Sequence, residues 1–322
     1  MKEKNVPVLR FKEFERNWLK KRLSDIIELI SGQHLNPNQY TKIRSETPYF
    51  TGPSDFTNKI GNLNKWTSFN SKVAKKYDVL LTVKGSGVGN MMYLTLERVA
   101  MGRQLMALRT NRDSSSFLFY FLHKKTKHFE KLSLGNMIPG ISRQDILHTK
   151  IEIPSLPEQQ KIANFLSAVD QKIQQLQEKK ALLKQYKKGV LQQIFSQQIR
   201  FKQADGSDFP DWELFKAKDL FKNHSNKNHD GELPILAATQ DRGVVLRDSI
   251  GIKIQSTTSS VKSYKIVEKG DFVISLRSFQ GGIEYSDLKG ICSPAYTILK
   301  PKLSIVDQFF KYYFKRRILL PD

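Results

Sequence analysis

The sequence predicts an α+β fold, with two similar mixed α/β domains joined by a long α-helix of the coiled-coil type. Three observations predict it: an apolar seam of heptad spacing in mid-chain, a set of sequence blocks that occurs twice, and a matching apolar run in each set. The seam lies between Leu156 and about Gln198. Its apolar residues are Ile162, Leu166, Val169, Ile173, Leu176, Leu183, Val190 and Ile194, spaced four, three, four, three, seven, seven and four residues apart. That is a heptad pattern, not one stripe of a core helix. Pro157 suits a first helical turn, Glu158 complements the positive end of the helix dipole, and Lys187 and Lys188 lie toward the negative end. At 1.5 Å per residue such a helix is roughly 60 Å long, more than a core helix of a single domain needs. The expected boundaries are 1–155 for the first domain, 156–199 for the helical spacer and 200–322 for the second domain.

The flanking regions repeat one another. Arg10-Phe11-Lys12 leads to Trp18 and Asp25, and Arg200-Phe201-Lys202 leads to Trp212 and Asp219; Trp to Asp is seven residues in both. Residues 75–87 match 267–279, with Asp78 and Asp271 lying 60 and 59 residues after their tryptophans. The blocks 102–111 and 292–302 follow, then the aromatic blocks 117–122 and 309–314. Four blocks in one order at nearly constant spacing indicate a tandem duplication. In each copy the run after Asp78 or Asp271 is rich in β-branched and aromatic residues and reads as a buried strand. Short amphipathic helices are expected over 22–30 and 216–222, helices at the two aromatic blocks, and polar loops between them, as in 43–56. The symmetry leads us to expect about 75–80 further residues beyond Asp322, a second long helix among them.

The chain carries 53 Lys+Arg against 31 Asp+Glu, a formal net charge of +22. An excess of that size repels itself and is retained where a polyanion is bound. Nucleic acid leads the candidates, because phosphate neutralisation scales with the number of basic contacts. A hydrophobic content of 39% with 20 Phe argues against disorder. One cysteine, Cys292, excludes an internal disulfide. No apolar run has the length of a membrane span and Met1–Phe11 lacks a signal-peptide core, so a cytoplasmic chain without membrane partners is expected.

The run 135–176 carries a specific pattern: Gly135, Ile141, Ser142, Asp145, Ile146, Ile151, Ile153, Pro154, Leu156, Glu158, Gln159 and Ile162. In these residues the chain resembles the specificity subunits of type I restriction–modification systems, in which such a passage links a target recognition domain to a helical spacer. The duplicated layout and the opening of each copy, Trp18…Leu23-x-Asp25 and Trp212…Asp219, are also similar to that family; the absent second conserved helix departs from it. The resemblance implies a non-catalytic subunit whose two target recognition domains each read one half of an asymmetric, split site on double-stranded DNA. It also implies that the helix sets the gap and docks two methyltransferase subunits, with restriction/motor subunits joining for cleavage. S-adenosylmethionine would then bind the methyltransferase partner, with no cofactor bound directly here. The unpaired helix, its seam interrupted by Lys180 and Lys187, is expected to accept another helix, a second copy of this chain included.

Base reading requires side chains that present donor–acceptor pairs to groove edges. Loop residues with that capacity are Gln33, Thr51, Ser54, Lys84, Ser86, Arg103 and Gln104 in the first copy. In the second copy they are Gln240, Arg242, Arg277, Ser278, Gln280 and Ser293. Catalytic alternatives are weak. Asn36-Pro37-Asn38-Gln39-Tyr40 lacks the second proline of an amino-methyltransferase loop, and the glycine spacing of 85–89 fits neither a P-loop nor a dinucleotide fingerprint. Glu178-x-Lys180 sits mid-helix without an acidic partner, and His224 and His229 have no further ligand at metal spacing. The rival reading is a coiled-coil adaptor whose basic domains bind RNA or acidic partners without sequence preference.

Overall fold

The computed structural model describes residues 7–133, 139–251, 258–275 and 282–315. The chain forms two compact units, Met1–Leu176 and Gln177–Asp322. No helix among the described residues is long and apolar enough to cross a membrane.

The first unit contains strands β1 (Leu19–Arg22), β2 (Ile27–Ser31), β3 (Thr47–Phe50), β4 (Trp66–Thr67), β5 (Val73–Lys75), β6 (Val79–Thr82), β7 (Met91–Tyr93), β8 (Arg98–Met101), β9 (Leu105–Thr110) and β10 (Lys150–Ile153). Helices α1 (Ser115–His123), α2 (Thr126–Ser133) and α3 (Arg143–Leu147) follow β9, and α4 (Leu156–Phe195) is the long helix. An antiparallel sheet runs β2-β9-β6-β7, a second runs β4-β3-β8-β5, and β1 pairs with β10. All four residues of β6 are buried, as the sequence leads one to expect. One side of that sheet packs Val79 and Leu81 with Phe117, Leu118 and Ile146, and the other packs Leu80 with Phe50 and Met101.

In the second unit, α5 (Ala217–Leu220), β11 (Phe221–His224), β12 (Leu236–Thr239), β13 (Gly243–Leu246), α6 (Thr258–Val261), β14 (Lys265–Val267), β15 (Phe272–Ile274), β16 (Ile283–Tyr285), β17 (Gly290–Cys292), β18 (Thr297–Pro301) and α7 (Asp307–Lys315) occur in that order. Its main sheet runs β11-β18-β15-β16, the same order as β2-β9-β6-β7. The antiparallel pair β14–β17 likewise repeats β5–β8.

The duplication reaches single hydrogen bonds. The Asp78 carboxylate accepts the Lys75 amide and the Asp271 carboxylate accepts that of Glu268, both at 2.8 Å. The residue before each aspartate has positive φ, Tyr77 at 73° and Gly270 at 96°. Glycine takes that conformation freely, whereas tyrosine is strained in it. The copies differ in how they treat charge. Arg109 grips Asp78 at 2.8 and 3.0 Å, whereas Lys300, its counterpart by register, bonds Glu268 instead. Burial pushes the Asp271 carboxyl above its ordinary value, although the Glu268 amide and Lys300 pull the other way.

Two expectations need correction. Residues 22–30 form a single 3-10 turn, Leu23–Asp25, followed by β2, and 216–222 is one turn of helix followed by β11. Ile27 and Leu29 alternate inward while their backbone pairs with β9, so the period is two and the residues suit a strand. The polar-looking stretch 43–56 contains β3, every residue of it buried, beside the parallel β8. Serine, threonine and proline around Tyr49-Phe50 mask a strand that long-range pairing creates.

At the register position of Met92 the second unit carries Glu284, only 3% exposed. Neither carboxylate oxygen has a hydrogen-bond partner among the described residues, and Lys315 Nζ stands 3.7 Å away. Burial pushes this carboxyl above its ordinary 4.5, against the opposing pull of Lys315. A carboxyl that holds its proton more tightly when folded contributes stability below pH 4.5 that is lost as the pH rises through the raised value. We predict that Glu284→Met stabilises the second unit by about 1–2 kcal/mol near pH 7. Thermal unfolding across a pH series should show the gain shrinking toward acid. A gain that stays constant with pH would show that the buried charge is not its source.

Candidate nucleic-acid interface

The passage 141–159 folds into a bracket around the start of α4. Ile141 and Ile146 are buried, and between them Ser142 caps α3. The Asp145 carboxylate accepts the Ser142 amide at 2.8 Å and its hydroxyl at 2.7 Å, a reciprocal capping box. These hydrogen bonds hold the Asp145 carboxyl below its ordinary value. Glu158 and Gln159 are each 1% exposed. Glu158 accepts two bonds from Arg10, both at 2.7 Å, and one from the Trp18 indole N–H at 3.1 Å. Gln159 donates to Asp113 at 2.9 Å and to the Pro154 carbonyl at 3.0 Å, and accepts from the Ser114 amide. Gly135 lies outside the described residues.

The structure draws the first copy's candidate residues together at one end of the sheet. The Gly102 amide donates to the Phe50 carbonyl, Gly32 to Leu105, Gln33 to Met101 and Val83 to Gln104, all between 2.7 and 2.9 Å. These bonds bind the ends of β2, β3, β6 and the β8–β9 turn into one cluster of loops. Glycine permits the approach: a Cβ on Gly32 would sit 2.1 Å from the Gly102 carbonyl oxygen, and one on Gly87 would sit 2.5 Å from Pro53. Gln33, Ser54, Lys84, Ser86, Arg103 and Gln104 are exposed on this cluster. Thr51 is half-buried and committed internally. Its hydroxyl donates to Asp55 at 2.6 Å and accepts from Lys65 at 2.8 Å. Burial alone would raise the Asp55 carboxyl, but the Thr51 hydroxyl and amide and Lys65 together hold it below its ordinary value.

Sequence reasoning missed Arg143. Its guanidinium donates to Ser31 Oγ at 2.7 Å and to the Leu29 carbonyl at 2.9 Å, beside the end of β2. Residues 139–141 join the same cluster, since the Gly85 amide donates to Pro139 and Lys84 bridges to Gly140. The available signal was a basic residue inside the Ser-x-x-Asp capping pattern.

In the second unit Gln240 and Arg242 are exposed at the tip of the β12–β13 hairpin, where the Thr239 hydroxyl donates to Gly243. Ser293 is half-buried and opens the turn after β17, its carbonyl accepting the Tyr296 amide. Strands β12 and β17 meet at a parallel bridge, Ile235 with Ile291, so both turns leave the sheet in one direction. Arg277, Ser278 and Gln280 lie outside the described residues.

The seam of α4 is covered at its ends. In the first unit Ile162 packs on the main core and Leu166 is half-buried, while Tyr120 donates to Asp170 at 2.7 Å. In the second unit Val190 and Ile194 are half-buried, Phe195 meets Trp212 and Phe309 edge to face, and Lys187 lies over Tyr312. Val169, Ile173, Leu176 and Leu183 are 41%, 47%, 54% and 56% exposed.

The model of the type I restriction modification DNA specificity domain matches residues 15–185. The chain belongs to this family. Among relatives of the family, the chain is 28% identical over 177 residues to a Methanocaldococcus jannaschii protein assigned as the MjaX type I restriction enzyme specificity subunit. That match covers 54% of this chain and 41% of the relative. The MjaVIII type I restriction enzyme specificity subunit of the same organism is 24% identical over 234 residues, 70% of this chain and 54% of that protein. The chain thus spans about half the length of the curated relatives it matches. The crystal structure of the type I restriction-modification system S subunit from M. genitalium has the same fold. It has a TM-score of 0.58 and 17% identity, over 98% of this chain and 81% of that one.

Within this specificity-domain frame the motif's polar pair holds structure, so its loss should be felt in stability. Gln159→Ala leaves the Ser114 amide and the Pro154 carbonyl without their partner in the interior. We expect a destabilisation of the first unit by about 2–3 kcal/mol, measured by chemical denaturation of the full chain. A cost near zero would mean that water replaces the amide and that the bracket is not buried as described.

Proposed function

We propose that this chain is the DNA-reading component of a type I restriction–modification complex and carries no catalysis of its own. The carrying observation is the first unit's loop cluster: Gln33, Lys84, Arg103 and Gln104, scattered over 72 residues of sequence, are exposed on one contiguous set of strand ends. These are the side-chain types that read base edges and neutralise phosphates. Each unit would read one half of a bipartite, asymmetric site on double-stranded DNA. The second would use Gln240, Arg242 and Ser293 together with Arg277, Ser278 and Gln280. The frame supports this division of labour, because the residues of the passage 141–159 are consumed by packing and capping while the loop residues are exposed.

Helix α4 would set the unread gap and dock two methyltransferase subunits, through which restriction subunits join. S-adenosylmethionine would be held by the methyltransferase. The exposed middle of the seam, Val169 to Leu183, would pair with a second helix, from another copy of this chain where no other helix is supplied.

The test is single-molecule mapping of methyladenine in the host genome, with co-purification of the methyltransferase. A two-part motif is expected, absent when the chain's gene is removed. Gln104→Ala should relax discrimination in one half of that motif by about tenfold, as loss of a bidentate base contact does, and leave the other half intact. A uniform loss over all sequences would remove Gln104 from the base readers. Methylation without sequence preference would favour the adaptor reading instead.

A further inference from the structure

A second basic concavity lies away from the loop cluster, at the opposite end of β2. It is a cavity of about 840 Å³ between the β1–β10 ribbon and the end of α1. Lys20, Lys21, Arg22, Lys124, Lys125 and Lys150 line it, against two acidic residues, Asp25 and Glu152. Asp25 is already engaged, accepting the Arg22 amide at 2.8 Å and the Ser24 hydroxyl at 3.2 Å. None of the six cations forms an ion pair among the described residues. Across the ribbon Lys20 stands opposite Glu152, but Arg22 stands directly opposite Lys150, a like-charge pairing that opposes strand association. An anion bound from outside would relieve that repulsion.

The concavity does not end there. A neighbouring hollow of about 430 Å³ shares Lys125 and Lys150 with it and adds His128, His148 and Asp145, whose carboxylate is engaged by the Ser142 amide and hydroxyl. His148 follows the last residue of α3, whose first residue is Arg143, the residue bonded to Ser31 at the loop cluster. Five residues of helix span only about 7 Å. Lys125, Lys150 and Arg143, with His128, His148 and the Ser142-bonded Asp145 between them, therefore lie along a path from the ribbon to the loops proposed to read bases.

We propose that this groove is a sequence-independent anchor for the phosphodiester backbone of double-stranded DNA flanking the half-site read by the first unit. The inference rests on the DNA-reading function proposed above. The long, unpaired cations suit a phosphate track because each can neutralise one phosphate without requiring a fixed base at that position. A polyanion of repeating charge fits six cations strung along two adjoining hollows better than one compact anion does.

The full chain, titrated with a fluorescent duplex of about 30 base pairs over a range of salt, tests it. In Lys20→Gln/Arg22→Gln/Lys150→Gln the slope of log K against log salt should flatten by about 2.7, three contacts at 0.9 each. Affinity should fall at least about tenfold, and equally for every duplex sequence. The charge-preserving Lys20→Arg/Arg22→Lys/Lys150→Arg should keep the original slope, and the melting temperature of both variants shows whether the fold is intact. A Gln variant that is folded and binds with an unchanged slope overturns the anchor while leaving DNA reading in place. Unchanged DNA binding with loss of the co-purifying methyltransferase assigns the groove to a protein partner, and also overturns it. A wild-type chain that binds no duplex at any salt overturns the DNA-reading function itself, and the anchor with it.

Discussion

The buried carboxylate of Glu158 is the constraint on which the first unit depends. A charge removed from water must be fully paired, and here three donors meet it: two from Arg10 and the Trp18 indole. It also lies in the first turn of α4, where the helix dipole favours negative charge. The N-terminal arm, the aromatic block through Trp18 against Phe117, and the long helix are thereby joined at one point. Gln159, one residue on, ties the same turn to the start of α1 through Ser114 and Asp113. Position of the helix and position of the sheet are set by adjacent residues.

The second unit keeps the aromatic geometry of this junction. Trp212 meets Phe309 edge to face at 74°, as Trp18 meets Phe117, but its other neighbour is Phe195 and not a carboxylate. Arg200, in the place of Arg10, turns to Asp211 and to the carbonyls of Phe209 and Pro210. Asp78 and Asp271 keep their turns while Arg109 and Lys300 choose different acids. Duplicated backbones thus tolerate extensive exchange of charge, because the sheet order and the tight turns rest on backbone hydrogen bonds and apolar burial. Side chains at the strand ends are under no such restraint.

The fold was legible wherever the signal was local or repeated. The buried strand after Asp78, its twin after Asp271 and the helices at both aromatic blocks follow from composition and matching spacing, and all are present. Strands β2 and β3 were not legible. Ile26-Ile27 and Leu29-Ile30 satisfy helical and strand patterns alike over so short a run, and β3 looks like a loop until β8 lies beside it. In the candidate site, residue type singled out Gln33, Lys84, Arg103 and Gln104, which stand exposed on the loop cluster, but Thr51 belongs to the same chemical class and is spent on Asp55. Arg143 lies 112 residues beyond the Ser31 it bonds, and its place inside the Ser-x-x-Asp capping pattern did not say which loop it would reach.

The sequence by itself determined the repeat, the helical seam and the chemistry on offer to a polyanion, because periodicity, spacing and charge are properties of the chain. Only the tertiary structure decided which of those residues stand together. Glycine contacts at Gly32 and Gly87 bring distant loops within van der Waals reach. Arg22 meets Lys150 only because β1 pairs with β10 in one register. The seam of α4 carries apolar residues from Ile162 to Ile194, yet its ends are covered and its middle is open. Close approach of backbones far apart in sequence is a property of packing, and no local pattern records it.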